Sequence, residues 1–219
     1  DKGAVLLLDA ATGAALGSWT PHTKAVRALA VWASVTGTLS LVSGGDDGKV
    51  AVSSPTAKSS SAVTAFSSAV RALRVDAATG RLLVTAETQG PYLFESPLGG
   101  TMAWLGGMST PGAIALAPGA LVAWGAMSNG QVLQWQLPTV KMAVTPVIQP
   151  SLTLGAPVAP ATGAAVDMAL GATVAYVGFD GRGPARLTLA TEQWTWPIVR
   201  HMGPVFDLAA HQGVLWSAG

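Results

Sequence analysis

Hydrophobic residues in this chain come in short runs, split again and again by glycine, proline and small polar stretches. In VRALRVD, residues Val70, Ala72, Arg74 and Asp76 fall on one side while Arg71, Leu73 and Val75 fall on the other, the period-two alternation of a strand. Short runs with frequent punctuation predict strands and turns. The apolar residues never run about 18 in a row without Gly, Pro, Ser or a charge, so no membrane-spanning helix is predicted. The sequence carries no signal-peptide or lipidation pattern.

The strand pattern repeats. Ala25–Ser54 (AVRALAVWASVTGTLSLVSGGDDGKVAVSS) and Ala69–Ser96 (AVRALRVDAATGRLLVTAETQGPYLFES) both open on AVRAL and continue with a second apolar run. Both then turn through a polar stretch ending in glycine and close with a third run. The frame returns in Gly112–Leu137 and Ala164–Leu189. The turn glycines Gly48, Gly90, Gly130 and Gly181 are spaced by 42, 40 and 51 residues. The longest interval holds PTVKMAVTPVIQP, read as an extended loop insertion. Units of about forty residues with four short strands predict an all-β fold, a β-propeller of four-stranded blades.

The ends carry half a unit each. LWSAG followed by DKGAVLLLD reproduces the frame of LVSGGDDGKVAVSS, and Gly3, counted on past Gly219, follows Gly181 by 41. Five blades in a single domain are expected, over 23–68, 69–108, 109–159, 160–202, and 203–219 joined with 1–22. Sewing the last blade from both ends would remove the unpaired strand edges of an open arc. A compact ring and an excerpt of a longer seven- or eight-bladed chain both fit these ends, and the first residue, Asp1 rather than Met, favours the excerpt.

The frame resembles the WD-repeat propeller family. SWTPHTKAVRALAV…LSLVSGGDDGKVAVSS follows the family order of His before the first strand, Val within it, a small residue in the second strand, Asp-Gly in the turn, then a third strand. VRHMGPVFDLAAHQGVLWSAG joined to DKGAVLLLDAATG follows it again, with Leu8-Asp9 where the family's Trp-Asp dipeptide belongs. Ser53-Ser54, Phe94-Glu95 and Trp135-Gln136 fill that slot elsewhere. The resemblance implies a buried structural relay of His, Ser or Thr, turn Asp and Trp. Here the members are His22, Ser43 and Asp46 or Asp47, with Ser53 in the Trp place; a second set is His201, Ser217 and Asp1, with Leu8 there. It also implies that residues flanking the first strands meet partners on one face: Arg27, Arg71, Asp167 and Phe206.

Charge and chemistry narrow the function. Twelve basic and 11 acidic residues give a formal net charge of +1, too little for a field that would drive nucleic-acid binding. With no cysteine, disulfides and thiolate metal sites are excluded, and a reducing compartment fits. His22, His201 and His211 form no HExxH pattern, so no metal site is expected. SGGDDGKV lacks phosphate-loop spacing and reads as a tight turn at Asp47-Gly48. GFDGRG misses the dinucleotide spacing, and Asp207, His211 and Ser217 come with no GxSxG. No cofactor is expected.

Two readings from different classes follow. The first is a non-catalytic protein–protein scaffold, a subunit or domain of a larger assembly, placed in the cytoplasm or cytoskeleton, without membrane insertion. Only 11% of residues are charged, against about 25% in an ordinary free domain; an exterior so poor in charge suits a packed neighbour. The alternative is a five-bladed glycoside hydrolase or lectin-like carbohydrate binder using the axial channel. It turns to Asp167 and Asp207 on first strands, which would need carboxyls about 5–5.5 Å apart for a retaining mechanism. Among the eight tryptophans, Trp32, Trp124, Trp135 and Trp216 are expected between blades. Trp194 and Trp196 share a face of an outer strand and form a candidate docking patch.

Overall fold

A computed structural model describes residues 3–34, 37–107, 111–119, 121–127, 131–140, 142, 146–154, 165–170, 173–179, 183–196, 205, 207–211 and 214–218; the side chains of Pro111, Val166, Asp167, Ala210 and His211 lie outside the description. All regular structure among these residues is β. The strands β1 (Val5–Leu8) and β2 (Ala15–Trp19) form an antiparallel hairpin. Next comes an antiparallel meander of β3 (Val26–Ala33), β4 (Leu39–Gly45), β5 (Lys49–Ser54) and β6 (Ser59–Ala65). A second meander holds β7 (Val70–Val75), β8 (Leu82–Ala86), β9 (Gln89–Phe94) and β10 (Met102–Leu105). The third is built from β11 (Pro111–Leu116), β12 (Val122–Met127) and β13 (Val132–Gln136), then, past β14 (Val147–Ile148), from β15 (Leu152–Leu154). The fourth comprises β16 (Ala165–Leu170), β17 (Val174–Phe179), β18 (Gly183–Thr188) and β19 (Gln193–Thr195), and a last hairpin β20 (Asp207–His211) and β21 (Val214–Ala218).

Two details differ from the sequence reading. The stretch read as a loop insertion contains β14, which turns back and pairs parallel with β10 of the preceding sheet, Trp104 opposite Val147. It covers an outer edge whose backbone groups would otherwise lack partners. The hairpins β20–β21 and β1–β2, expected in one unit, share no ladder among the described residues and stand as separate two-stranded sheets.

The packing explains the sequence pattern. First strands of consecutive sheets lie beside one another, β3 by β7, β7 by β11, β11 by β16 and β16 by β20. The second strand β8 is covered on both faces, with every residue buried, and a continuous apolar run rather than alternation is what such a strand needs. Among the described residues β3 has a neighbouring sheet, that of β7, against one face only, so it alternates half-buried and exposed along its whole length. The core is divided into layers between sheets. Val42 and Val50 meet Val70, Leu73 and Phe94 in one layer. Leu83, Leu93 and Leu105 meet Ile114, Leu133 and Trp135 in the next. Ala113, Trp124 and Val132 meet Met168, Val177 and Phe179 in the third.

Glycine marks the closest approaches. Gly44 lies against Val70 and Leu73, and Gly178 lies against Val205 and Leu208, in the same way at two junctions; a Cβ at Gly178 would come within 2.9 Å of Val205. Leu73, Ile114, Met168 and Leu208 occupy one register position in successive first strands and are all buried, whereas Leu29 at that position in β3 is 53% exposed.

Truncating Leu73 to Ala should therefore lower unfolding free energy by about 2–5 kcal/mol. Trp135 donates from Nε1 to the Gly106 carbonyl at 2.9 Å in full burial, and Trp135→Phe, which strands that carbonyl, should cost about 1–3 kcal/mol. Urea titrations with unchanged m-values check both.

Candidate functional site

Each of the four complete first strands carries one register shift, and it falls at the same place: between Val26 and Ala28, Val70 and Ala72, Pro111 and Ala113, and Ala165 and Asp167. A bulge leaves one residue unpaired and re-aims its side chain. The bulged residues are Arg27, Arg71, Gly112 and Val166, so the R of each AVRAL motif is the residue turned out of the ladder. An acid waits at the end of the second strand in both units. The amides of Asp46 and Glu87 donate to the carbonyls of Ala25 and Ala69, each at 2.8 Å, which holds both carboxylates beside the bulge of their own unit.

The result is a chain of alternating charge across two sheets. Arg27 Nε donates to both carboxylate oxygens of Asp46 at 2.8 and 2.9 Å, and its Nη2 to Oδ2 at 2.5 Å. Arg71 Nη1 lies 3.7 Å from the same Asp46, and Arg71 Nη2 donates to Glu87 at 2.6 Å. The side chains of Arg27 and Arg71 remain 49% and 40% exposed. The hydrogen bond from Arg27 holds the Asp46 carboxyl below its usual range, and Asp46 in turn raises the Arg27 guanidinium. Both groups thus stay ionised at any ordinary pH. They border an open hollow of about 560 Å³ that also touches Lys24 and Ser67. A second hollow of about 640 Å³ runs from Ala4–Leu6 past Arg27 and Arg71 to Arg74 and Asp207.

Beneath the rim lies a buried relay. His22 is 3% exposed; its Nδ1 is 2.9 Å from Asp47 Oδ1 and its Nε2 is 2.9 Å from Ser43 Oγ. The acid is Asp47 and not Asp46. Neighbouring residues of the turn point opposite ways, Asp47 inward over His22 and Asp46 outward to Arg27, so Asp46 belongs to the rim. Gly45 makes room: a Cβ there would sit 2.6 Å from His22 Nδ1. Asp47 also accepts from the amides of Thr23 at 2.9 Å and Lys49 at 3.1 Å. Gly48 takes φ +77°, as the tight turn requires. Ser53, in the Trp place, is buried and its Oγ has no partner among the described residues. The second unit has Phe66 where the first has His22: its amide donates to Gly48 as that of His22 does to Gly3.

Asp1, His201 and Phe206 lie outside the described residues. Asp167 is in β16 with its side chain outside the description, and Ser217 is on the exposed β21. Asp207 lines the larger hollow and accepts from the Leu208 amide. Trp194 and Trp196 do not form an exposed patch: both are half-buried against Phe179, ring centres 6.2 and 5.8 Å away, where they close the edge of the third core layer. Trp124 and Trp135 are core residues, but Trp216 is 53% exposed, because nothing described here packs on the outer face of β21.

A buried ion pair went unread in the sequence. Arg81 and Glu95, 7% and 6% exposed, pair at 3.3 Å, while Glu95 accepts from the Met142 amide at 3.4 Å. Together they pin the connection that leads to β14. The signal was an Arg at the start of one strand and a Glu just past another, fourteen residues apart, with nothing local to join them.

Burial works to raise the Asp47 carboxyl, but the Thr23 amide, His22 and the Lys49 amide outweigh it and hold it at about 2, against 3.8 when unperturbed. A depressed carboxylate contributes stability above its unfolded pKa and loses it as pH falls through the folded value. The contribution, about 2 kcal/mol at neutral pH, should fade between pH 4 and pH 2. Asp47→Asn should remove about that much at pH 7 and differ little from the parent near pH 2, in urea melts run across that range.

No protein-family model matches the chain, and no curated protein matches it. Among solved structures, the chain is similar to the crystal structure of the computationally designed Ika8 protein, with a TM-score of 0.66 at 17% identity, over 94% of this chain and 59% of that one. This chain therefore spans well under two thirds of the length of that protein. A likeness at this identity concerns the fold: a succession of small antiparallel sheets.

Proposed function

We propose that the chain is a WD-repeat-like β-propeller whose rim docks other proteins, a non-catalytic scaffold within a larger intracellular assembly, cytoplasmic or cytoskeletal. The observation that carries this reading is the rim itself. Arg27 and Arg71 are turned outward by bulges, fixed by Asp46 and Glu87, and still half-exposed beside an open hollow. Side chains held in place before a partner arrives lose little entropy on binding. Groups that remain charged at neutral pH are suited to holding a partner and poorly suited to exchanging protons with a substrate.

The propeller reading draws support from the equivalence of the units and from the His22–Asp47–Ser43 relay. In it the two end hairpins are halves of one blade. Leu208 pairs with Ser217 as Leu29 pairs with Ser43, which supports reading β20 and β21 as first and second strands. The Gly3 carbonyl accepts from His22 as the Gly48 carbonyl accepts from Phe66, which supports reading β1 as a third strand. In β4 and β5, Ser43 lies opposite Ala51; the corresponding pair across the composite blade is Ser217 and Leu6. Closure of this kind would also cover Leu29.

Two experiments bear on this. With no native cysteine, the double variant Leu6→Cys/Ser217→Cys should form an intrachain disulfide on oxidation. If the control pair Leu41→Cys/Ser53→Cys closes and this one does not, the end hairpins belong to different blades. For function, Arg27→Ala/Arg71→Ala should lower partner retention in pull-downs roughly tenfold with little loss of thermal stability, since exposed ion pairs contribute at most about 1 kcal/mol each. An assembly that survives both changes intact removes the rim from the docking surface.

A further inference from the structure

The charge chain on the rim is unfinished at one end. It runs Arg27, Asp46, Arg71, Glu87, so its Arg27 end is a cation without a following anion. Among the described residues no acceptor lies on Arg27 Nη1 or Arg71 Nε. Lys24 borders the upper hollow beside Arg27, whereas Arg74, which lines the lower one, is engaged, its Nη1 donating to the Leu73 carbonyl at 3.0 Å. Asp207 is the one acid lining that lower hollow among the described residues. Asp47, the remaining nearby acid, is turned to His22, Thr23 and Lys49. Arg27 Nη1, Arg71 Nε and the Lys24 ammonium are thus the donors on this rim with no acceptor among the described residues.

Spacing says what shape of anion suits it. Both guanidinium groups reach the Asp46 carboxylate, which puts them roughly 5–7 Å apart given ordinary ion-pair distances. In an extended peptide, side chains on one face recur every second residue, about 6.6–7 Å. A uniform polyanion such as a nucleic-acid backbone would have to pass over Asp46 and Glu87 and would be repelled there, and the net charge of +1 supplies no compensating field. Carboxylates at alternate positions, with small uncharged residues between, avoid both acids.

We infer that this rim docks an extended acidic segment of a partner protein, with carboxylates at alternate positions seated on Arg27 and Arg71 and flanked by Lys24. The inference rests on the docking role proposed above and specifies the partner's chemistry. At Arg27 the Nε–Nη2 edge is held by Asp46, which leaves Nη1 for an incoming carboxylate; at Arg71, with Nη2 on Glu87 and Nη1 near Asp46, Nε is the donor left, and both planar groups are held in place beforehand.

The test uses the whole chain and a fluorescein-labelled Glu-Ala repeat peptide of about ten residues, followed by anisotropy at low salt. The Glu-Ala peptide should bind, its Gln-Ala counterpart should not, and a peptide with the same glutamates in one block should bind more weakly. Arg27→Ala/Arg71→Ala should weaken binding roughly five- to tenfold, and Arg27→Lys/Arg71→Lys should recover part of it. Equal binding of the Glu and Gln peptides to the unaltered chain overturns the inference without recourse to any variant. So does equal binding of the block peptide or of a labelled oligonucleotide, which would indicate unspecific charge attraction. If the alanine variant sheds its assembly while no acidic peptide binds, the acidic-segment inference falls and the docking role stands. If the assembly is retained and no peptide binds, both fall.

Discussion

A four-stranded sheet of this chain is apolar on both faces, and that single constraint organises the molecule. Leu82, Leu83, Val84 and Ala86 on β8 point alternately to the layers on either side, and each is buried. A sheet so built cannot present either face to water without loss: at roughly 25 cal/mol per Å² of apolar surface, exposing one face would exceed the few kcal/mol of net stability that a domain holds. Neighbours on both sides are therefore a condition of folding. The glycines at 44 and 178 serve the same end, since they allow the next sheet's Val and Leu to come down onto the second strand. Where no neighbour is described, the same positions are exposed: Leu29 and Val31 on β3, Val214 and Trp216 on β21.

Short connections keep the sheets in register by local chemistry. The pentapeptide DAATG occurs at residues 9–13, between β1 and β2, and at 76–80, between β7 and β8. Its structure is the same in both places. The aspartate accepts from the threonine amide and hydroxyl, at 2.7 Å each for Asp9 and at 2.8 and 2.7 Å for Asp76, and the glycine takes φ near +70°. Asp–Thr capping with a left-handed glycine is a self-contained turn, so five residues suffice to specify it whatever the strands around it do. In the second instance the carboxylate does more. Its other oxygen accepts from the Gly119 amide at 3.0 Å, tying the turn to the next unit.

This divides what was legible in the sequence from what was not. Strands, turns and the repeat were legible because they depend on period-two alternation, on Asp-Gly, and on AVRAL recurring. His22 and Ser43 could be named as a pair from their frame. The choice between Asp46 and Asp47 could not, because it turns on which way each of two adjacent side chains points as the hairpin closes. The fate of Trp194 and Trp196 was hidden for a related reason. Alternation put them on one face of an outer strand, but Phe179, on β17 of the same sheet, decides that this face is covered. Glu95 and β14 were illegible because their partners are far along the chain: Glu95 with Met142, and Trp104 with Val147.

The rim joins these levels. Bulges sit at the same point of each complete first strand because the packing of consecutive sheets is the same at each junction, and a bulge frees one side chain from both the ladder and the core. In the third unit that residue is Gly112, pressed against the carbonyls of Ala126 and Ala165. In the first two it is arginine, long enough to leave the crowded backbone and reach solvent. An unbraced arginine there would sweep many rotamers; Asp46 and Glu87, set by backbone hydrogen bonds to Ala25 and Ala69, confine it. The pairs themselves stabilise the fold little, being exposed. Their effect is on order: two guanidinium groups stand at a fixed separation on a surface whose rigidity comes from the buried layers beneath, and that fixed separation is the physical basis for any selectivity this face has.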